Sequence, residues 1–510
     1  MAARRALFAA VFALFPASYG TAQEPAPLSA IDWLDSLPRP TEPAGPSEPA
    51  ATASASVPGV TVTPLDGPAA RRVGLVPADV TGLPDTLWSG SDGTALANRI
   101  ADLPHLRLPA LQQLAFTLML AEATPPAGDT ARFDLARIDM LLSYGALDPA
   151  MALMAQAGMD ASRAHFARAI DMALIFGNAS TPCAILRAQP ALSPGKGHDI
   201  FCAARAGDWS TAALLLGSAR VLELIPDAQV TALERFLDPE LFEDAPDLPL
   251  PSDADPLMFR IFAAAGQPIP TRGLPVVYAN ADLSDTAGWK TQIEAAERLA
   301  QAGTLPGNRL LGLYSARQAA ASGGVWDRVR AVQRFETALD SRSTSAVAKT
   351  LPTAWRAMGE QGLQVLFAGL FAERLEPLVL SGAAADIAFD LLLLSPRYEA
   401  AETVFPARAL RAPIHAAVAR GEVPPNLTGT GREGAALRGF STAEPDPEIV
   451  ALAQSGALGA AILETLNLAH SGGAGDVTAL ARALATLRAL GLEDVARRTA
   501  LQALLLEGST

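Results

Sequence analysis

The sequence predicts an all-α protein in which antiparallel helical hairpins stack into an α-solenoid. Half of the 510 residues are apolar and only 6% are aromatic, so alanine and leucine supply most of the apolar side chains, and both favour helices. Apolar residues recur three and four positions apart, as in Leu480, Leu484 and Leu487, which is the spacing of one helix face. Short helices joined by tight turns pack antiparallel to their neighbours, and a long series of such hairpins forms a solenoid.

The N-terminus, residues 1–22, is predicted to be a secretory signal peptide. Arg4 and Arg5 form a positive segment, and residues 6–15 form an apolar run that is too short to span a bilayer. Small side chains then precede a cleavage site after Ala22. We therefore expect an exported protein of a bacterial periplasm.

Residues 23–59 predict a disordered linker, because proline, alanine, serine and threonine leave little to bury. A short apolar motif at residues 31–37 interrupts this composition. With Ile31 and Leu34 on one face and Trp33 beside it, the motif is predicted to dock into a groove, either on a partner or on this same chain.

The remaining chain divides by composition. Residues 60–92 predict an irregular lead-in, with a β-like alternation at residues 60–63. Residues 93–237 and 257–510 predict two helical-repeat lobes. Residues 238–256, rich in aspartate, glutamate and proline, predict the boundary between them. These carboxylates lack the glycine and terminal glutamate of a calcium loop, so they are interpreted as helix caps and solvated linker.

The sequence predicts the positions of several helix ends. Gly145 is predicted to end one helix, and Asp148 followed by Pro149 to begin the next with a capping carboxylate. Gly158 is predicted to end that second helix, and Asp160 to restart the chain.

Two segments share a local pattern in which a turn precedes an aromatic residue and a small residue follows three positions later. They place Trp209 before Ala212 and Tyr398 before Ala401. A large side chain between helices, opposite an alanine, suits closely packed hairpins. These segments resemble the turn and second helix of tetratricopeptide-type repeats. They are not spaced at the ~34 residues of that repeat, so the resemblance implies only the tetratricopeptide-like superfamily architecture.

Charge excludes two classes of partner. The net charge of −14 gives no counterion-release energy for binding nucleic acid, and an anionic lipid surface would repel the chain. Later apolar stretches are interrupted by charges such as Asp386 and Asp390, so we expect no integral membrane segment.

Two motif matches are rejected as catalytic sites. Ser193 and Lys196 match Ser-x-x-Lys, but the intervening Pro-Gly breaks the helix that would place the amine beside the hydroxyl. Residues 429–434 match Gly-x-Gly-x-x-Gly without a preceding strand, so they are interpreted as a surface loop. We therefore predict no catalytic residue and no cofactor.

Two cysteines, Cys183 and Cys202, are predicted to form a disulfide, as a lone pair does in an oxidising compartment. The alternative is a metal site, because His198 lies one helical turn before Cys202. The disulfide is favoured, and no metal is expected.

These features favour a non-enzymatic periplasmic scaffold that binds a protein or peptide partner through its helical-repeat surface. The first alternative is a cell-wall glycan-processing protein, because the architecture resembles the exported helical superhelix of soluble lytic transglycosylases. The second alternative is a receptor for a small hydrophobic ligand bound between the lobes.

Overall fold

A computed structural model of the chain describes residues 72–251, 253–319 and 321–506. These residues form 25 α-helices, five short 3-10 helices and no strand. The predicted all-α class is confirmed for this part of the chain. The predicted signal peptide, the β-like piece at residues 60–63 and the apolar motif of Ile31, Trp33 and Leu34 lie outside the described residues.

The first eleven α-helices precede residue 265. They are α1 (Ala78–Thr81), α2 (Gly93–Ala101), α3 (Pro109–Leu120), α4 (Thr130–Ser143), α5 (Leu147–Ala157), α6 (Arg163–Phe176), α7 (Ser180–Ala188), α8 (Lys196–Arg205), α9 (Trp209–Val221), α10 (Asp227–Leu237) and α11 (Pro256–Ala264).

Six helices form the middle of the chain. They are α12 (Trp289–Gln301), α13 (Gly307–Ser315), α14 (Val325–Asp340), α15 (Thr344–Gly359), α16 (Gln364–Leu375) and α17 (Gly382–Leu394). The 3-10 helices span Pro190–Leu192, Glu240–Phe242, Thr271–Gly273, Val276–Leu283 and Tyr398–Ala400.

Eight helices form the last part. They are α18 (Ala401–Val404), α19 (Pro406–Ala409), α20 (Pro413–Arg420), α21 (Gly431–Gly439), α22 (Pro447–Gln454), α23 (Leu458–Gly473), α24 (Val477–Ala489) and α25 (Glu493–Leu505).

The glycines predicted to end helices do follow α4 and α5, whereas the residues predicted to begin the next helices are not their N-caps. Gly145 and Gly158 have φ of 81° and 94° and follow α4 and α5, as predicted. Helix α5 begins one residue before Asp148, so this carboxylate lies in the first turn and does not cap the helix. Ser162, not Asp160, caps α6 by accepting a hydrogen bond from the His165 amide. A capping oxygen must lie immediately before the helix, and sequence alone places that point only to within a residue or two.

Two hydrophobic clusters form the interior. One draws on helices α2–α11 together with helices from the last part of the chain, and the other draws on α12–α17. Helix α17 contributes to both, with Phe389 and Leu392 in the first cluster and Ala388 and Leu391 in the second. This helix therefore contributes side chains to both clusters.

The last helices pack against the first. Helix α23 contacts α2 and α3, and α25 contacts α3. The ring of Trp88, which is 1% exposed, lies against Gly459, whose amide donates a 3.0 Å hydrogen bond to the Leu87 carbonyl. Gln502 accepts a 2.8 Å hydrogen bond from the Ala110 amide. Beyond the sequential contacts of neighbouring hairpins, the structure thus includes a contact that closes the chain on itself.

Arginine side chains donate hydrogen bonds to carbonyls at the ends of buried helices. Arg137 is fully buried and donates to the carbonyls of Met119 and Ala121 at the end of α3 and to that of Val73. Burial lowers the pKa of Arg137 to about 10, and the group stays charged at neutral pH. These carbonyls have no helical partner, so the guanidinium satisfies groups that would otherwise be buried without a hydrogen bond.

The two cysteines are bonded to each other. Their sulfurs lie 2.00 Å apart and link α7 to α8. Sulfurs in a disulfide are not thiolate ligands, and within the described ranges no group of His, Cys, Asp and Glu side chains is placed to hold a metal ion. The Nε2 of His198 lies 3.8 Å from an Asp171 carboxylate oxygen.

Removing the disulfide tests its contribution. We expect the double variant Cys183→Ala/Cys202→Ala to lose about 3 kcal/mol of unfolding free energy, because the bond closes a loop with a sequence separation of 19. Denaturant titration measures this loss, and peptide mass spectrometry without reduction identifies the bond. Two freely alkylated thiols in protein purified without reductant would contradict the pairing.

Adding a methyl group at Gly459 tests the closing contact. A Cβ there would lie 2.4 Å from the Trp88 ring, so we expect Gly459→Ala to destabilise the protein by about 1–3 kcal/mol or more. Gly369→Ala is the matched control, since a Cβ at this exposed position of α16 meets nothing within 4 Å and alanine favours helices. Thermal denaturation compares the two variants, and equal melting temperatures would rule out this packing.

The carboxyl group of Asp390 on α17 predicts a pH dependence. Burial, and secondarily the charge of Asp386, raise the pKa of Asp390 from 3.8 to about 6. The folded state therefore holds this proton more tightly than the unfolded state, and the stability that it contributes is lost as pH rises from about 4 to about 6. We expect Asp390→Asn to stabilise the protein at pH 7.5 by at most about 3 kcal/mol and to change little below pH 4. Denaturant titrations of both proteins across this range measure the difference, and a constant difference would contradict the shift.

Candidate functional site: the exposed face of helix α9

Helix α9 is buried on one side only. Its Ala212, Leu216 and Ala219 are buried and form the side that faces the neighbouring helices α8 and α10. Asp208 caps the helix by accepting a 3.1 Å hydrogen bond from the Thr211 amide. The cap and the buried side set which face of α9 points away from the core.

The outward side of α9 carries exposed apolar side chains together with the hydroxyl groups of Ser210 and Ser218. Leu214 and Val221 are 72% and 80% exposed, and Trp209 at the start of the helix is 52% exposed. The apolar surface continues past the helix through Leu222 and Leu224, which are 65% and 50% exposed. We call this surface the helix-9 face and define it as Trp209, Ala213, Leu214, Gly217, Val221, Leu222 and Leu224.

The spacing of these residues gives the helix-9 face its shape. Leu214, Gly217 and Val221 stand three and then four positions apart, so they follow one line along the helix. Ala213 and Gly217 lie one turn apart, and a Cβ built at Gly217 meets nothing within 4 Å. Small residues flanked by large ones leave a shallow depression in the middle of the face.

Charged groups precede the face at Asp208 and border its C-terminal part, where Arg220 and the exposed Glu223 lie beside Val221, Leu222 and Leu224. Arg220 donates to Glu234 of α10 at 3.0 Å. At the other end, the hydrogen bonds from Thr211 lower the pKa of the Asp208 carboxyl. No ionisable side chain lies between Asp208 and Arg220 in the sequence. An apolar patch with a polar rim is the composition of a protein interaction surface.

The disulfide restrains the helix on which α9 packs. Cys202 belongs to α8, the helix on which α9 packs, and is bonded to Cys183 of α7. The cross-link restrains the hairpin that carries α9, so the face is held on a constrained support.

Trp209 corrects one expectation from the sequence. In the repeat pattern this aromatic side chain was expected between helices, yet half of its surface is exposed, whereas Tyr398 is 3% exposed as expected. Trp209 lies on the same side of the helix as Ala212 and Leu216, about 60° and about 20° from them around the axis, but it is the first residue of α9, at the end of the helix.

The rejected motifs have ordinary local roles. The hydroxyl of Ser193 donates to the Gly195 carbonyl at 3.1 Å, and Lys196 pairs with Asp199 at 3.1 Å, so each group has a partner of its own. The interpretation of residues 429–434 as a surface loop holds for residues 429–430 and is wrong for residues 431–434, which are helical. Gly431 begins α21, and a Cβ at the buried Gly434 would lie 2.5 Å from the Gly429 carbonyl oxygen, so this glycine permits close packing of backbone.

A buried ionisable cluster is structural. Glu297 accepts hydrogen bonds from the Tyr314 hydroxyl at 2.6 Å and from the Arg328 Nε at 2.7 Å, and all three residues are buried. Burial and the charge of Glu297 raise the pKa of Tyr314 well above its usual range. With the carboxylate and the guanidinium paired away from solvent, this cluster holds helices α12, α13 and α14 together.

Sequence reasoning missed the helix-9 face. The available signal was the run of three consecutive leucines at 214–216, which point to different sides of the helix and of which only Leu216 is buried. A helix with such a run lies either in a core or at an interface, and its position in the fold decides which.

Among the described residues, no helix has the length and apolar character needed to cross a membrane. Comparison with protein-family models, with curated proteins and with solved structures gives no match. The functional interpretation therefore rests on the geometry of the chain itself.

Proposed function

We propose that this chain is a non-enzymatic periplasmic scaffold whose helical hairpins, stacked as a solenoid, bind a protein partner at the helix-9 face. The observation that carries the proposal is the exposure of the large apolar side chains of Leu214 and Val221 on one line of α9, together with Leu222 and Leu224 beyond it. Export through the segment at residues 1–22 suits a chain with a disulfide, because such bonds persist in oxidising compartments.

The occupant that fits this face is an amphipathic helix of the partner. Helices pack by setting the side chains of one into the grooves of the other, and small residues in the groove allow a close approach. Ala213 and Gly217 provide that groove, and the open space above Gly217 leaves room for one large apolar side chain. The partner helix would lie along α9 and extend the layer formed by α8, α9 and α10.

The energetics favour such a partner. Full burial of a leucine or valine side chain stabilises association by about 1.5–3 kcal/mol, and burial of Trp209 adds a larger apolar area. Part of this free energy offsets the entropy lost on association. The salt bridge of Arg220 with Glu234 lies at the rim, so it affects orientation more than affinity.

Site-specific photo-crosslinking in the producing cell tests the proposal. A benzophenone-bearing residue is placed at Leu214 or Val221, and the control position is Val379, which is 90% exposed and lies elsewhere. We expect adducts of one defined mass from positions 214 and 221 and none from 379. Mass spectrometry then identifies the cross-linked segment, which should have an amphipathic helical pattern.

A synthetic peptide of that segment should bind the purified protein. Because a charge would be desolvated at the interface, we expect Val221→Glu to weaken binding at least tenfold and Val379→Glu to leave it unchanged. Absence of adducts, or equal effects of the two substitutions, would overturn the proposal. Adducts that contain a second copy of this chain would instead assign the face to self-association.

A further inference from the structure

A second surface, independent of the helix-9 face, lies between α2 and α4. The groove between these helices encloses about 510 Å³, within the range of small-molecule sites. Its partly exposed apolar residues include Leu103, Leu135 and Ala136, with the buried Ile100 and Met140 beneath them. The groove therefore presents apolar side chains between two helices.

One cationic side chain at the edge of the groove has no ionic partner. The Nη2 of Arg132 donates a 2.7 Å hydrogen bond to the Asn98 side-chain oxygen, and in the part of the chain that the structure describes no carboxylate pairs with this guanidinium. Arg132 is exposed and belongs to the first turn of α4. The carboxylate of Asp129, which caps α4, accepts a 2.9 Å hydrogen bond from the Arg132 amide and not from its guanidinium.

The other polar groups of the groove leave this charge uncompensated. Arg168 makes a two-pronged contact with Asp139, with Nε and Nη2 at 3.0 Å and 2.9 Å from the two carboxylate oxygens. His105 stacks on Tyr144 with ring centroids 4.3 Å apart. Burial, and secondarily the neighbouring His470, lower the pKa of His105, so its ring is neutral at pH 7.

We infer that the groove between α2 and α4 binds an amphipathic monoanion, with its acidic head on Arg132 and its apolar body against Leu103, Leu135 and Ala136. A guanidinium can donate two parallel hydrogen bonds to a carboxylate or phosphate, and among the described residues that of Arg132 makes a single hydrogen bond, to Asn98. The positive charge of Arg132 favours an anionic head group, and the apolar side chains of the groove favour an apolar portion of small-molecule size.

Titration calorimetry with sodium decanoate and decan-1-ol tests both parts of the inference. We expect decanoate to bind with one molecule per chain and at least tenfold more tightly than decanol. Arg132→Gln should weaken decanoate binding about tenfold and leave decanol binding unchanged, because it removes the charge and keeps hydrogen-bonding capacity. Arg309→Gln, at an exposed arginine of α13, is the matched control.

A second variant tests the contribution of the apolar side chains of the groove. Ala136→Leu adds volume within the groove and should weaken both ligands, while thermal melts verify that each variant is folded. Val221→Glu should leave decanoate binding intact, so failure of the partner proposal and failure of this one give different results. Equal affinities for decanoate and decanol, an unchanged affinity in Arg132→Gln, or several bound molecules per chain would overturn the inference.

Discussion

The contact between Trp88 and Gly459 is the constraint on which the arrangement of the described helices depends. It brings the chain just before α2 against the start of α23, and only a residue without a side chain fits at that position. Leucine and alanine residues of the first and last helices consequently share one hydrophobic cluster. A stack of hairpins with contacts only between neighbours would leave both ends of its core exposed, and this contact covers them.

Arginine complements this packing of small side chains. Close approach of alanine-rich helices buries helix ends whose carbonyls have no partner within the helix. Arg137 satisfies such carbonyls at the end of α3, and Arg260 does the same at the end of α6 by donating to the Leu174 carbonyl at 2.8 Å. The guanidinium suits this role because its several donors reach neighbouring carbonyls at once.

The two proposed binding surfaces differ in what makes them available. The helix-9 face is exposed because α9 packs on α8 and α10 through one side only, and the disulfide restrains its support. The groove between α2 and α4 depends on the closing contact, since α2 also packs against α23. Arg99 of α2 reaches Glu464 of α23 at 2.8 Å, which helps to hold one wall of the groove in place. The two proposed sites thus depend on different parts of the fold.

The sequence alone determined the properties that depend on near neighbours along the chain. Helical periodicity predicted the all-α class and the burial of Leu480, Leu484 and Leu487, and glycine predicted the ends of α4 and α5. Only the tertiary structure decided which apolar side chains are covered, because burial depends on distant helices. It exposed Trp209, buried Gly434 against Gly429, and placed Trp88 against Gly459. The helix-9 face and the groove were hidden for the same reason: spacing along a helix defines its faces, whereas the packing of other helices determines which face stays open.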